Sequence, residues 1–175
     1  MTAHAPPGAQ ARLFLALWPT PAVRAGLLAW RDAFAWPAHA APVGAAELHL
    51  TLHFIGAVPR AALDALLPRF AAPVPAFELR FGRPELWPGG LAVLVPHAVP
   101  DALLALHATL RAALEGAALR TETRPFRPHV TLARRAHGVR LVEPAPPVRW
   151  RVRGHVLVES RPGPAGRYVV LRHYR

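Results

Sequence analysis

Apolar residues in this chain fall into short continuous or alternating runs broken by proline and glycine, a pattern of strands and amphipathic helices rather than of a helical bundle. Leu13 to Leu17 is a continuous apolar run and predicts a buried strand. Pro21 then opens a helix through about Phe34, with Val23, Leu27, Leu28 and Trp30 on its apolar face. After a Pro- and Ala-rich loop to Glu47, Leu48 to Phe54 predicts a second strand closed by Gly56, and Pro59 begins a helix that Pro68 ends or kinks. Phe77, Leu79 and Phe81 alternate with Glu78 and Arg80 as a half-buried strand, followed by a turn at Pro88-Gly89-Gly90 and a buried strand from Leu91 to Val95. Pro100 to about Gly116 reads as a helix, and an Arg-rich loop leads to a strand from His129 to Arg134. Val148, Trp150 and Val152 alternate with Arg149, Arg151 and Arg153, a strand with one solvated basic face, which Val156 to Glu159 continues past Gly154. A turn around Pro162, Gly163, Pro164 and Gly166 precedes a last strand, Arg167 to His173.

The two halves repeat one order: strand, proline, helix, loop, and a strand beginning His-x-Thr. Pro21 to His49 spans 28 positions and Pro100 to His129 spans 29. This spacing predicts a duplicated strand-helix-strand unit whose copies close face to face, with a groove between them as the natural site. Residues 1–11, small and Pro-bearing, are read as a flexible N-terminal extension, and 12–175 as a single bilobal unit.

Composition narrows the chemistry. With 53% hydrophobic and 18% charged residues, 175 residues are enough for one well-buried core. There is no cysteine, so disulfides, thiolate metal sites and cysteine nucleophiles are excluded. All 21 basic residues are Arg, and Lys and Asn are absent while Ser and Ile occur once each, a bias that reads as GC-rich coding. A net charge of +11 still favours an anionic partner such as nucleic acid. Leu13 to Trp18 is too short an apolar run for a signal core or a membrane span, so a cytoplasmic protein without membrane attachment is expected.

The two His-x-Thr strands carry the candidate chemistry. In His49-Leu50-Thr51-Leu52 and His129-Val130-Thr131-Leu132 the strand period of two sets each His and Thr on one face and the apolar residues on the other. Imidazole titrates nearest neutrality, so one copy can hold a proton while the other lacks it, as paired acid and base work requires. Threonine hydroxyls donate to phosphoryl oxygens. A zinc reading of His49 and His53 fails on spacing, because four strand residues separate them by roughly 13 Å, and His53 is expected to be a cleft-wall or solvated residue.

These segments, with Phe54-Ile55-Gly56 after the first and Arg127-Pro128 before the second, resemble the two signature motifs of the two-histidine phosphoesterase superfamily. Within it the chain is most similar to the RNA 2′,3′-cyclic phosphodiesterases, also called the 2′-5′ RNA ligase family. The likeness runs from Arg12 through Glu159-Ser160 and Gly166-Arg167-Tyr168. It implies an α+β bilobal fold: two antiparallel sheets related by pseudo-twofold symmetry, helices outside, and the active site in the cleft between the lobes. It implies no cofactor and no metal. His49 would protonate the leaving 3′ oxygen and His129 would take a proton from water. Thr51 and Thr131 would hold the non-bridging oxygens, and the product would be an RNA end with a 2′-phosphate.

Arg134 matches a basic residue of the second motif, yet strand parity sets it on the face of Val130 and Leu132, so it reaches the phosphate only where the strand ends or bulges. Arg127 and Arg124 are read as contacts to the RNA backbone. His4, His39, His97, His107, His137, His155 and His173 are read as surface or packing residues, and Trp18, Trp36 and Trp87 as core residues that could also stack on a base. The expected partner is RNA with a 2′,3′-cyclic phosphate end, acted on by a monomer, with reversible 2′-5′ joining as a companion reaction. Two rivals stand beside this reading: a phosphodiesterase on a small cyclic nucleotide such as ADP-ribose cyclic phosphate, and a non-catalytic RNA-binding module.

Overall fold

The computed structural model describes residues 9–142, 145–161 and 167–175. Among the described residues nine strands join in one antiparallel sheet: β1 (Gln10–Leu17), β2 (Ala41–Pro42), β3 (Leu50–Pro59), β4 (Phe77–Trp87), β5 (Leu91–Pro96), β6 (Val130–Arg134), β7 (Val148–Val152), β8 (His155–Ser160) and β9 (Tyr168–Tyr174). Their spatial order is β7-β4-β5-β6-β3-β1-β8-β9, with the short β2 on β6. The path divides at its centre, where β6 and β3 pair through Leu50 and Val130 alone. On each side of that seam lie four strands in matching order: β3, β1, β8, β9 outward one way and β6, β5, β4, β7 the other. The duplicated unit accounts for this symmetry, since β1 and β5 lead into helices that return to β3 and β6.

Helix α1 (Pro21–Asp32) starts where Thr20 accepts the Val23 amide as N-cap and proline fills the first turn. It packs on β6 and β7, whereas α2 (Asp101–Gly116) packs on β3. Each helix therefore lies over the half opposite its preceding strand, which locks the halves into one body. The main core fills the space beneath the helices with Leu13, Leu15, Leu27, Trp30, Leu50, Phe81, Leu103, Leu110, Val130 and Trp150, all at most 2% exposed. A separate small cluster, Phe14, Ala16, Val156 and Val158 with Trp18, Tyr168 and Val170 against it, lines the other face of the N-terminal half. Among the described residues no helix is long and apolar enough to cross a membrane.

Several expectations are corrected. Gln10 and Ala11 belong to β1, opposite Pro59 and Val58, rather than to the N-terminal extension; residues 1–8 lie outside the described ones. Gly56 does not close β3: it takes φ 85° within the strand, a conformation glycine tolerates, and pairing continues to Pro59. The segment from Arg60 to Phe70 is mostly 3₁₀, with one α turn at Leu63–Leu66, because Pro68 withholds an amide. The chain does not continue one strand past Gly154 but breaks there. β7 sits at the outer edge of one half, and β8 lies between β1 and β9 in the other. A Cβ at Gly154 would collide with the Tyr174 carbonyl, so this crossing requires glycine. The turn at Pro162, Gly163, Pro164 and Gly166 lies outside the described residues.

Candidate active site

The seam sets the two His-x-Thr segments side by side. His49 and His129 each stand immediately before their strand, and an antiparallel register through Leu50 and Val130 places His49 across from Thr131 and Thr51 across from His129. Leu50 and Val130 point into the core, so all four polar residues share the opposite face.

Both imidazoles are fixed in the same way. His49 Nδ1–H donates to the Glu47 carbonyl at 2.5 Å and His129 Nδ1–H to the Arg127 carbonyl at 2.7 Å, in each case two residues upstream. A carbonyl only accepts, so the proton is on Nδ1 and the neutral rings turn bare Nε2 atoms toward the cleft. The Thr51 hydroxyl donates to His49 Nε2 at 3.0 Å. His49 is wedged among Phe14, Trp18 and Tyr168, with ring centroids at 5.0, 5.7 and 5.3 Å, and His129 packs on Trp87 at 4.5 Å.

This packing governs protonation. Burial lowers the proton affinity of His49, to a pKa of about 4; the Glu47 hydrogen bond opposes the shift, and the charges of His129, Arg134 and Arg24 reinforce it. His129 is also held below the ordinary histidine value, chiefly by burial, with Arg127 and Arg134 adding to it against the Arg127 carbonyl. Without an anion in the cleft, both rings are therefore neutral at pH 7.

The position of Arg134 is resolved by a bulge. On β5 the adjacent residues Val93 and Ala92 pair with Thr131 and Ala133, which leaves Leu132 as the extra residue in β6. Parity reverses beyond it, so Arg134 comes round to the face of Thr131, where its charge acts on both histidines. β3 carries the same irregularity at Leu52, between Thr51, paired with Ala16, and His53, paired with Leu15. There it swings His53 into the core, 3% exposed, with Nε2 bonded to the His107 carbonyl at 2.8 Å and its ring stacked on His107. His53 is thus neither a cleft wall nor solvated, and it does not converge with His49.

Of the remaining candidates, Arg127 reaches the site, its guanidinium 4.0 Å above the Trp87 ring and 3.5 Å from Glu85. Arg124 does not; it is exposed and pairs with Glu122 at 2.7 Å. Trp18 and Trp87 each face a site histidine, whereas Trp36 packs edge-on against Phe34 and donates to the Arg31 carbonyl. Sequence reasoning missed Arg24, which lies over Trp18 from α1, and gave Tyr168 no role beyond the motif. Nothing in the local pattern marked Arg24, since its approach depends on how α1 crosses the sheet. Chemically, the cleft offers two oriented nitrogen bases, two hydroxyl donors and a guanidinium on one face of the sheet, with aromatic rings against both imidazoles.

The chain is similar to several known proteins. A model of the 2′-5′ RNA ligase superfamily matches residues 19–163. The RNA 2′,3′-cyclic phosphodiesterase of Escherichia coli (strain K12) is 32% identical over 143 residues, covering 79% of this chain and 80% of that protein. Among solved structures, a phosphoesterase superimposes with a TM-score of 0.86 at 28% identity, over 95% of this chain and 98% of its own. E. coli LigT complexed with 3′-AMP superimposes with a TM-score of 0.85 at 29% identity and the same coverage.

Proposed function

This chain belongs to the 2′-5′ RNA ligase superfamily, and from that premise we propose that it hydrolyses 2′,3′-cyclic phosphate ends of RNA to 2′-phosphate ends. The observation that carries the reading is the pair of Nε2 atoms held toward one cleft by matching Nδ1–H bonds to backbone carbonyls. A pure binding module has no need of two imidazoles locked in one tautomer.

The cyclic diester already holds its leaving oxygen in a five-membered ring, so the protein need only orient water, move two protons and stabilise phosphoryl charge. His129 Nε2 takes a proton from water as the new P–O bond forms. As the bond from phosphorus to the 3′ oxygen breaks, protonated His49 supplies that oxygen with a proton. The division of labour follows the family resemblance. Thr51, Thr131 and Arg134 meet the non-bridging oxygens. Burial is the main reason His49 lacks a proton, with Arg134 and Arg24 adding to it; the anionic diester favours the charged ring by direct attraction and also offsets that cationic field. With an RNA 5′-hydroxyl in place of water, the same steps join two ends through a 2′-5′ linkage. No step calls on a metal ion, and one chain supplies every group, so the enzyme acts as a monomer, in the cytoplasm where RNA ends arise.

The test is to incubate the purified protein with an oligoribonucleotide ending in 2′,3′-cyclic phosphate and resolve the product end. Conversion to a 2′-phosphate is expected. Turnover of ADP-ribose cyclic phosphate with none of the RNA end would replace this reading by the small-nucleotide one, and absence of turnover on both would leave only a binding module.

A further inference from the structure

The basic face of β7 lies on the catalytic side of the sheet. Val148, Trp150 and Val152 are buried against α1 and the core, and Arg149 and Arg151 project from the other face. Across the strand pair, Arg149 stands opposite Arg80 and Arg151 opposite Glu78. Like charges facing one another destabilise a sheet. Among the described residues, neither Arg80, Arg149 nor Arg151 makes an ion pair, Glu78 included. Edge strands often carry charge to block unwanted pairing, which accounts for β7 but not for Arg80 on the inner strand.

Register connects this patch to the histidines. A bulge at Gly82 returns Arg83 to the face of Val95, and Val93 pairs with both Glu85 and Thr131. Thr131, Val93, Val95, Arg83, Arg80 and Arg149 therefore lie on one side of the sheet, with Val93 and Val95 buried between the polar ends. Between its ends sits a cavity of about 240 Å³ lined by Arg83, Glu85, Trp87, Val95, Phe126 and Arg127. Three strand spacings across and about four residues along separate Thr131 from Arg149 by roughly 20 Å. Glu85 pairs with Arg83 at 3.3 Å and with Arg127, so charge is partly neutralised near the cavity, while at β7 three arginines face the single carboxylate of Glu78.

We propose that this face, from His129 past Trp87 to Arg80, Arg149 and Arg151, is the track for the single-stranded RNA that precedes the cyclic phosphate. The inference rests on the hydrolytic reading above and specifies its substrate as a polynucleotide end rather than a free cyclic nucleotide. Backbone phosphates lie against the guanidinium groups and relieve the repulsion between Arg80 and Arg149. The nucleotides nearest the end cross the cavity beside the Arg127 guanidinium that lies over Trp87.

The experiment compares a cyclic-phosphate oligoribonucleotide of about ten nucleotides with a 2′,3′-cyclic mononucleotide, in the wild type and in Arg149→Glu/Arg151→Glu. The track predicts that the double variant raises KM for the oligonucleotide by about tenfold or more, with kcat little changed and the mononucleotide within about twofold. Arg149→Gln/Arg151→Gln should fall between. Binding of a labelled decamer with a 3′-phosphate end, read by anisotropy, should lose roughly 0.7 in salt slope for each phosphate contact removed. Equal losses on both substrates, or no change in oligonucleotide KM and salt slope, would overturn the track. A wild type that turns over neither substrate instead defeats the hydrolytic reading, while decamer binding still decides the track.

Discussion

Replacing Thr51 by valine keeps the shape of the side chain and removes one hydroxyl, which has one bond in the structure and a second task in the proposed mechanism. In the free site it donates to His49 Nε2 at 3.0 Å, a bond available only to the neutral ring. In the proposed reaction it turns to a phosphoryl oxygen. Loss of one donor in a dry site costs roughly 2 to 4 kcal/mol of transition-state stabilisation, a fall of roughly 30- to 1,000-fold in kcat. Loss of a bond that favours neutral His49, worth about 1 kcal/mol, should raise the pKa of this ring by about 0.7 from its low value near 4. Thr131 makes no such bond to His129 among the described contacts, so Thr131→Val should show the rate loss without the titration shift. Steady-state kinetics on the cyclic-phosphate oligonucleotide read the first effect, and ¹⁵N-resolved histidine titration reads the second. Wild-type kcat in Thr51→Val, or a His49 titration that moves to lower pH, would refute the geometry assigned to Thr51.

Three further outcomes follow from the same structure. Because His49 and His129 are both held below the ordinary histidine pKa of 6.5, the singly protonated pair is most abundant on the acid side of neutrality; kcat/KM should peak below pH 6.5, and the alkaline limb of kcat should lie higher, since bound phosphate restores proton affinity. Glu159, 2% exposed, is shared by Arg60 and Arg161; burial alone would raise its pKa, but these hydrogen bonds and charges outweigh it, so its stabilising contribution holds above the unfolded value of about 4.5 and fades as pH falls through the lower folded value. Glu159→Gln should cost about 1 to 3 kcal/mol in urea unfolding at pH 7, and an unchanged midpoint would contradict the pairing. Treatment with EDTA should leave turnover unchanged, and loss restored by zinc or magnesium would show that the histidines serve a metal.

Much of the site was legible in the chain because it rests on local features. The alternation in His49-Leu50-Thr51 and His129-Val130-Thr131 is a property of any strand, and the near-equal spacing from Pro21 and Pro100 exposed the duplication that brings the strands together. The fates of Arg134 and His53 were not legible. Both follow from an extra residue, Leu132 or Leu52, whose bulge is set by pairing with β5 or β1, strands distant in sequence. Parity counted along the strand alone put each on the wrong face. The break at Gly154 was hidden for a similar reason, since the obstruction that demands glycine is the Tyr174 carbonyl near the other end of β9. The three tryptophans looked alike in sequence, and only the crossing of elements separates Trp18 and Trp87 at the histidines from Trp36 beside Phe34.

The central claim is that His49 and His129 act as one acid and one base on a single phosphorus. Single-turnover cleavage of a cyclic-phosphate oligonucleotide across pH, in the wild type and in His49→Ala and His129→Ala, tests it most directly. Each replacement should lower the rate by about 10² to 10⁴ while binding of the oligonucleotide is kept. The residual activity of His129→Ala should lose the acid limb of the profile, that of His49→Ala the alkaline limb, and the double variant should lose less than the product of the two. Near wild-type turnover in either single variant, or a profile that keeps both limbs in each, would contradict the claim.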